Sequence, residues 1–223
     1  MKDSVIRRYE TFLRGREFGA AHAAQFPAST FAGELLARLN AAITELDGHT
    51  SAQSSGKRSA QEGAAGKASA REELRQDLER ISRTARSMAL TTPGLEDKFR
   101  APRSISDQAL LAVARSFATD AAPLRDEFMR RGLPADFLDD LGRDITAFET
   151  SVNQKIQGTE THVTATAAID DAIERGINTM RELDPIMRNT FANDPATLAA
   201  WLSASHVERT PHKAKPPVTP PKP

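Results

Sequence analysis

A chain of 223 residues with 30 basic and 30 acidic side chains has no formal net charge, so its composition indicates no general attraction for nucleic acid or an anionic membrane. It contains no cysteine, which excludes disulfides and thiolate chemistry. Apolar residues make up 39% of the chain, which is adequate for helix bundles. Without a long apolar run, the sequence predicts a cytoplasmic protein with no membrane span.

Proline is absent from two long intervals, Ala28 to Thr92 and Ala135 to Asp184. Because proline breaks a helix interior, intervals rich in Ala, Leu, Arg and Glu without it favour long helices. At a rise of 1.5 Å per residue, each could span roughly 75 to 90 Å. The sequence therefore predicts an all-α, elongated bundle with two very long antiparallel helices at about 29–90 and 134–190.

The first predicted helix covers about residues 3–25, and Ser29 or Thr30 can cap the second. Apolar side chains of the second helix recur at helical spacing in two groups, which a polar stretch at 48–70 separates. The groups are Phe31, Leu35, Leu39, Ala42 and Leu46, then Leu74, Leu78, Ile81, Ala85 and Met88. The stretch 48–70 contains three further glycines after Gly48 and is either a flexible linker or continuous helix. We favour the continuous helix.

Ser104 or Ser106 can cap a third helix that runs to Ala118, and a short continuation ends at Gly132. In the fourth segment we expect Pro185 to kink the long helix. A last short helix begins at Asp194-Pro195, since these residues suit the cap and the first turn.

The two long helices have polar, small-residue middles that face each other if the helices are antiparallel, because facing residue numbers then sum to about 220. This predicts one bundle over 1–205, with a three-helix lobe at each end and a thin two-helix waist. Such a waist leaves Ile156 and Val163 partly exposed. We therefore predict a homo-oligomer, paired through 52–70 and 153–168. The remaining residues, 206–223, are rich in proline and lysine and predict a disordered tail.

Six basic residues near the end of the second helix form the densest cationic cluster of the chain. They are Arg80, Arg83, Arg86, Lys98, Arg100 and Arg103. The cluster could hold an anion or a partner, or it could pair with aspartates of the fourth segment, namely Asp136, Asp139, Asp140 and Asp144. We favour the ion pairs and do not expect nucleic-acid binding.

Trp201 is the only tryptophan of the chain and lies on the last predicted helix with Leu198 and Leu202. These three residues either anchor that helix on the first one or form a docking surface for a partner. We favour the anchor.

The chain contains no Glu-x-x-His, no His-Glu-x-x-His and no nucleotide-binding glycine motif, so we predict no catalytic, metal or cofactor site. The sequence predicts a non-enzymatic structural or protein-interaction bundle with an unknown protein partner. The alternative is a ligand-binding or catalytic helical domain with a pocket inside one lobe.

Near the C-terminus, Met187-Arg188-Asn189, Asp194-Pro195-Ala196, Trp201 and Ser205-His206-Val207-Glu208-Arg209 precede the proline and lysine tail. Over these last forty residues or so, the chain resembles an uncharacterised family of all-helical bacterial proteins. The resemblance implies an extended helical bundle in a bacterial, cytosolic setting. It implies no reaction, ligand or functional residue.

Overall fold

The computed structural model describes residues 3–101 and 104–208, and within these ranges it contains helices and no β-strand. The helices are α1 (Asp3–Ala21), α2 (Phe31–Met88), α3 (Leu95–Lys98), α4 (Asp107–Ala121), α5 (Arg125–Arg130), α6 (Phe137–Thr190) and α7 (Pro195–Ser205). A 3-10 turn, Ala122–Leu124, joins α4 to α5. The predicted all-α class is confirmed.

The long helices are uninterrupted. α2 runs for 58 residues through the whole of 48–70, which confirms the continuous helix and excludes the flexible linker. α6 runs for 54 residues, and Pro185 lies inside it rather than at its end.

Helix ends follow the local chemistry of the sequence. Thr30 Oγ1 accepts a hydrogen bond from the backbone N–H of Gly33 at 3.1 Å, and Ser106 Oγ accepts one from Ala109 at 3.3 Å. Asp194 Oδ1 accepts one from Thr197 at 3.1 Å, at the start of α7. Each bond satisfies an amide that the first turn of a helix leaves unpaired. α1 ends at Ala21, four residues before the predicted end.

The described chain divides into two compact units. Unit 1 contains residues 3–51 and 165–208, and unit 2 contains 52–101 and 104–164. α1 and α7 belong to unit 1, and α3, α4 and α5 belong to unit 2. α2 and α6 each contribute one part to each unit.

The core of unit 1 is built from the apolar stripes of α1, α2, α6 and α7. Its fully buried side chains include Leu35, Leu39, Leu46, Leu183, Met187 and Trp201. Phe18 and Phe191 contact edge to face, with ring centroids 5.8 Å apart. Burial of such side chains contributes about 1.5–3 kcal/mol each and holds these helices together.

The core of unit 2 continues the same stripes into the other half of each long helix. Its fully buried side chains include Leu74, Leu78, Leu141, Phe148, Phe99 and Phe128. Phe99 contacts the ring of Phe117 at 5.3 Å and that of Phe128 at 5.4 Å, both nearly perpendicular. These rings join α4 and α5 to the end of α3, and they belong to the same buried cluster as the apolar side chains of α2 and α6 in this unit.

The two long helices are antiparallel within each unit. In unit 1, Arg175 of α6 forms an ion pair with Glu45 of α2. In unit 2, the backbone of Gly63 lies against that of Lys155, and Gly66 lies against Ser151. The residue numbers of these facing positions sum to nearly the predicted value of about 220, so the predicted register is confirmed within each unit.

Only the first residues of the predicted tail are described. The backbone carbonyl of His206 accepts a hydrogen bond from Arg14 Nη2 at 2.7 Å, and Glu208 forms an ion pair with Arg14 at 3.8 Å. These residues are therefore held against α1. The rest of the tail, 209–223, lies outside the described residues.

Candidate functional site

Three glycines hold α2 and α6 in close contact in unit 2. A Cβ atom on Gly56 would lie under 3.0 Å from the backbone of α6 at His162 and Gly158, and one on Gly63 would meet the backbone of Lys155 as closely. A Cβ on Gly158 would meet the backbone of Ala60 in the same way. We call this the glycine contact. Because it brings backbones together, the two helices need no large side chains between them here.

α6 carries a row of three apolar side chains and one threonine beside the glycine contact, on a different face of the helix. Val152, Ile156, Thr159 and Val163 follow one another at intervals of four, three and four residues. This is the spacing of a coiled-coil seam, and we call these four residues the Ile156 face. Val152 is buried in unit 2, whereas Ile156 is 48% and Val163 60% exposed. The predicted exposure of Ile156 and Val163 is thus confirmed.

The Ile156 face forms the floor of an open groove of about 480 Å³. The groove is lined by Lys67, Asp107, Val152, Lys155, Ile156, Thr159, Glu160, Val163 and Thr164. Its lining is mainly apolar, with charged side chains at the margins. Such a surface suits contact with another apolar helix better than it suits a small polar substrate.

One margin of the groove is closed by an ion-pair cluster at the start of α4. Lys67 Nζ lies 2.6 Å from Asp107 Oδ2, and Arg71 forms an ion pair with the other carboxylate oxygen. The hydrogen bond from Lys67 is the main reason that the pKa of Asp107 is lowered from its usual value. Asp107 therefore stays ionised and holds both cations.

Two charges of opposite sign border the Ile156 face on α6 itself. Lys155 and Glu160 are both exposed and five residues apart. Neither forms an ion pair with any other residue in the part of the chain that is described. They are available to a partner that lies along this face.

The predicted basic cluster divides into paired and unpaired residues. Arg80 forms an ion pair with Asp77 on its own helix, Lys98 pairs with Asp120 at 3.1 Å, and Arg100 pairs with Asp97. The expected interhelical pairs of Arg80, Arg83 and Arg86 with Asp136, Asp139, Asp140 and Asp144 do not occur among the described residues. Arg80 instead pairs with Asp77, which lies three residues away on its own helix. Arg103 lies outside the described residues.

Arg83 and Arg86 project from α2 into a groove of about 840 Å³ in unit 2. The groove is lined by Arg75, Glu79, Ser82, Arg83, Arg86, Glu96, Arg100 and Ala101. Within 3–101 and 104–208, neither Arg83 nor Arg86 has a carboxylate partner, so the side chains needed to attract an anion are present. Anion binding at this place stays a prediction.

A pair of acidic side chains, buried Asp77 and half-buried Asp144, lies between α2 and α6 in unit 2. Asp77 is 4% exposed, and its Oδ2 has no hydrogen-bond donor among the described residues. Burial first, and then the charge of Asp77 with a hydrogen bond to it, raises the pKa of Asp144 from 3.8 to about 6. A proton on Asp144 would supply the donor that Asp77 Oδ2 lacks. Glu73 and Asp140 add negative charge nearby, while Arg80 pairs with Asp77 and Arg143 with Asp140.

We expect the stability of unit 2 to depend on pH through Asp144. Its pKa is higher in the folded chain than in the unfolded chain, so its contribution is complete below about pH 4 and is lost as the pH rises through about 6. Asp144→Asn should therefore raise the free energy of unfolding by on the order of 1–2 kcal/mol at neutral pH and by much less near pH 4. Urea unfolding at both pH values measures this. Asp139→Asn, at an exposed position of the same helix, is the control, and an equal response of the two variants would contradict the expectation.

Trp201 lies inside unit 1, with no exposed surface. Its ring centroid is 5.2 Å from that of Phe18, and its Nε1–H donates to Asp184 Oδ1 at 2.9 Å. Leu198 is partly buried against the same core, and Leu202 is 39% exposed. Trp201 thus serves as the anchor of α7, as we favoured, and of the three predicted docking residues only Leu202 presents substantial surface.

A groove of about 800 Å³ on unit 1 lies beside Leu202. Arg8, Arg181, Asp184 and Arg188 line it, together with apolar side chains and the end of α7. Asp184 already accepts two hydrogen bonds: Oδ1 accepts one from Trp201 Nε1, and Oδ2 accepts one from Arg188 Nε at 2.7 Å. In the described residues, no group of three or more His, Asp or Glu side chains is placed to hold a metal ion.

Lys155, Thr159 and Glu160 lie within the predicted pairing range 153–168, but the sequence prediction did not assign them to one face of the helix, and it did not include the pairing of Asp77 with Asp144. The signals for both were present. The intervals of four, three and four residues from Val152 to Val163 define a seam, and the charges beside it follow from the same helical positions. The antiparallel register also places residue 77 opposite residue 144.

Comparisons with family models, curated proteins and solved structures find no match to this chain. No helix in 3–101 or 104–208 has the length and apolarity to cross a membrane. The resemblance to a bacterial helical family and the cytoplasmic location stay predictions.

Proposed function

We propose that this protein is a non-enzymatic helical interaction protein that binds a second copy of itself through the Ile156 face. The observation that carries the proposal is the exposure of Ile156 and Val163, at 48% and 60%, seven residues apart on one face of α6. Two apolar side chains at that spacing form a continuous stripe on a helix, and contact with water makes such a stripe unfavourable.

The glycine contact supports this proposal. It fixes α6 against α2 through backbone atoms, and the Ile156 face takes no part in that contact. A helix held rigidly on one side can present its other side for binding without first being ordered, which lowers the entropic cost of association.

The charges around the groove support contact with protein rather than catalysis. Lys67 and Asp107 form an ion pair with each other. The pKa of Asp107 is lowered, away from the range that is useful for proton transfer at neutral pH. Lys155 and Glu160 border the apolar row as a polar rim does in protein interfaces.

A second copy is the partner that we favour because the surface is complementary to itself in both shape and charge. It offers an apolar row that can pack on an identical row, and one unpaired cation with one unpaired anion on either side of it. A symmetric dimer uses the same patch twice, so such a patch satisfies itself. Because the row is short, we expect dissociation constants in the micromolar range.

Introducing a charge into the Ile156 face should abolish self-association. We expect Ile156→Asp and Val163→Asp each to weaken dimerisation at least tenfold, because a carboxylate would be buried between apolar side chains. Sedimentation equilibrium over a concentration series measures the dissociation constant. Gln157→Asp places the same carboxylate on the adjacent exposed position of α6, outside the groove, and should leave the constant within about twofold of the original value.

Equal dissociation constants for the Ile156→Asp and Gln157→Asp dimers would contradict the proposal. Far-UV circular dichroism of each variant checks that the helices are intact, so that a loss of binding is not mistaken for a loss of fold.

A further inference from the structure

We infer that the two copies pair their α6 helices in the same direction, so that Ile156 packs on Ile156 and Val163 on Val163 of the second copy. This inference rests on the proposed self-association and adds its orientation and register. It is carried by the order of apolar and charged residues along the Ile156 face.

The apolar residues define the layers of the interface. When Ile156 and Val163 occupy the a positions of a heptad, Val152 and Thr159 occupy the d positions; Val152 is already buried in unit 2, so Thr159 is the exposed d residue. β-branched side chains at a, combined with leucine at d, favour two-stranded parallel pairing; here the d positions carry valine and threonine, so the a layer alone follows that pattern. The exposed a positions of this face are one isoleucine and one valine, both β-branched.

The charges distinguish the two directions. In this heptad Lys155 occupies position g and Glu160 position e, five residues later. In a parallel pair, residue g of one helix meets residue e of the next heptad on the other helix. Lys155 of each copy therefore meets Glu160 of the other copy, and the two free charges on each chain are neutralised.

The opposite direction lacks this match. An antiparallel pair that places Ile156 on Val163 of the second copy puts its twofold axis between Thr159 and Glu160. The two Glu160 side chains then face each other next to the axis, and each Lys155 lies about one helical turn away from a carboxylate. Like charges at such positions oppose pairing.

Disulfide cross-linking tests the direction, and the cysteine-free chain gives a clean background. A disulfide forms only when two Cα atoms come within about 4.4–6.8 Å. In the parallel register Ile156→Cys and Val163→Cys should each cross-link to a second copy of the same variant. In the antiparallel register position 156 lies about 10 Å along the helix from its own counterpart, so only a mixture of the two variants would cross-link.

Each variant is oxidised under mild conditions at a concentration where the original chain is dimeric, and covalent dimers are measured by non-reducing electrophoresis. Gln157→Cys, exposed on the same helix outside the groove, reports random collisions. We expect at least tenfold more covalent dimer from Ile156→Cys and from Val163→Cys than from Gln157→Cys.

Glu160→Lys provides a second measurement that needs no cross-link. In the parallel pair it sets two cations against each other and should weaken dimerisation several-fold, and Lys155→Glu with Glu160→Lys should restore it. In the antiparallel pair, exchanging two facing carboxylates for two facing ammonium groups leaves the repulsion in place, so Glu160→Lys would not weaken the dimer.

The outcomes separate the inference from the proposed function. A dimer that cross-links only in the mixture of Ile156→Cys and Val163→Cys overturns the direction and leaves self-association standing. A chain that is monomeric by sedimentation and cross-links no better at position 156 than at position 157 overturns both.

Discussion

Gly158→Ala is expected to destabilise unit 2 by about 1–3 kcal/mol, although the same substitution at most helix interiors is stabilising. The new Cβ would lie under 3.0 Å from backbone atoms of Ala60 and Gly56, and a backbone cannot move aside as the end of a side chain can. α2 and α6 would have to separate. Urea unfolding followed by circular dichroism, with hydrogen exchange to localise the change, measures the effect.

Gly142→Ala is the matched control for this prediction. Gly142 lies in the same helix and the same unit, and a Cβ there meets no atom within 4 Å. This variant should gain about 0.5–1 kcal/mol from the higher helix propensity of alanine. The test is the opposite sign of the two effects, and a stabilising Gly158→Ala would show that the helices do not meet through their backbones.

Trp201→Ala is expected to destabilise unit 1 by about 3–5 kcal/mol. The side chain is fully buried, contacts Phe18, and donates a hydrogen bond to Asp184, so its removal leaves both a cavity and an unpaired acceptor position. α7 should detach from α1 before the rest of the unit unfolds. Hydrogen exchange of the α7 amides, compared with those of α1, measures this.

Two variants divide the effect of Trp201 into its parts. Leu202→Ala, at the neighbouring and 39% exposed position, should cost less than about 1 kcal/mol. Trp201→Phe keeps an aromatic ring but loses the hydrogen bond to Asp184, so its loss of unfolding free energy should lie between those of Trp201→Ala and Leu202→Ala. If Trp201→Ala destabilised unit 1 no more than Leu202→Ala does, the packing of α7 would not depend on Trp201.

Much of the fold could be predicted because long-range order in a helix pair follows from local rules. The absence of proline from two intervals predicted both long helices, and the antiparallel register follows from their ends. Thr30, Ser106 and Asp194 occupy cap positions because their side chains satisfy amides a few residues away. These effects act over a few residues, so they can be predicted directly from the sequence.

The partners of the charged side chains could not be predicted in the same way. Arg80 was expected to pair across to α6, but Asp77 is nearer, on the same helix. Asp107 binds Lys67 and Arg71 only because the packing of α4 brings its first turn to that part of α2. Such pairs depend on the distance between side chains after the helices have packed, and several pairings satisfy the sequence equally well.

The candidate surface could be predicted from the sequence only in part. Exposure of Ile156 and Val163 followed from the polar middles of the helices, because nothing in either middle is large enough to cover them. The role of glycine in holding those middles together required coordinates, since a glycine in a helix indicates flexibility as readily as close approach. Gly56, Gly63 and Gly158 mark close approach, whereas a Cβ atom added at Gly48 or Gly142 would meet no atom within 4 Å.

The mass of the unmodified 223-residue chain in solution tests the central claim most directly. Sedimentation equilibrium across a series that reaches tens of micromolar should show a reversible rise from the mass of one chain to twice that mass. A chain that keeps the mass of one copy over the whole series would contradict the assignment of the Ile156 face as a self-association surface.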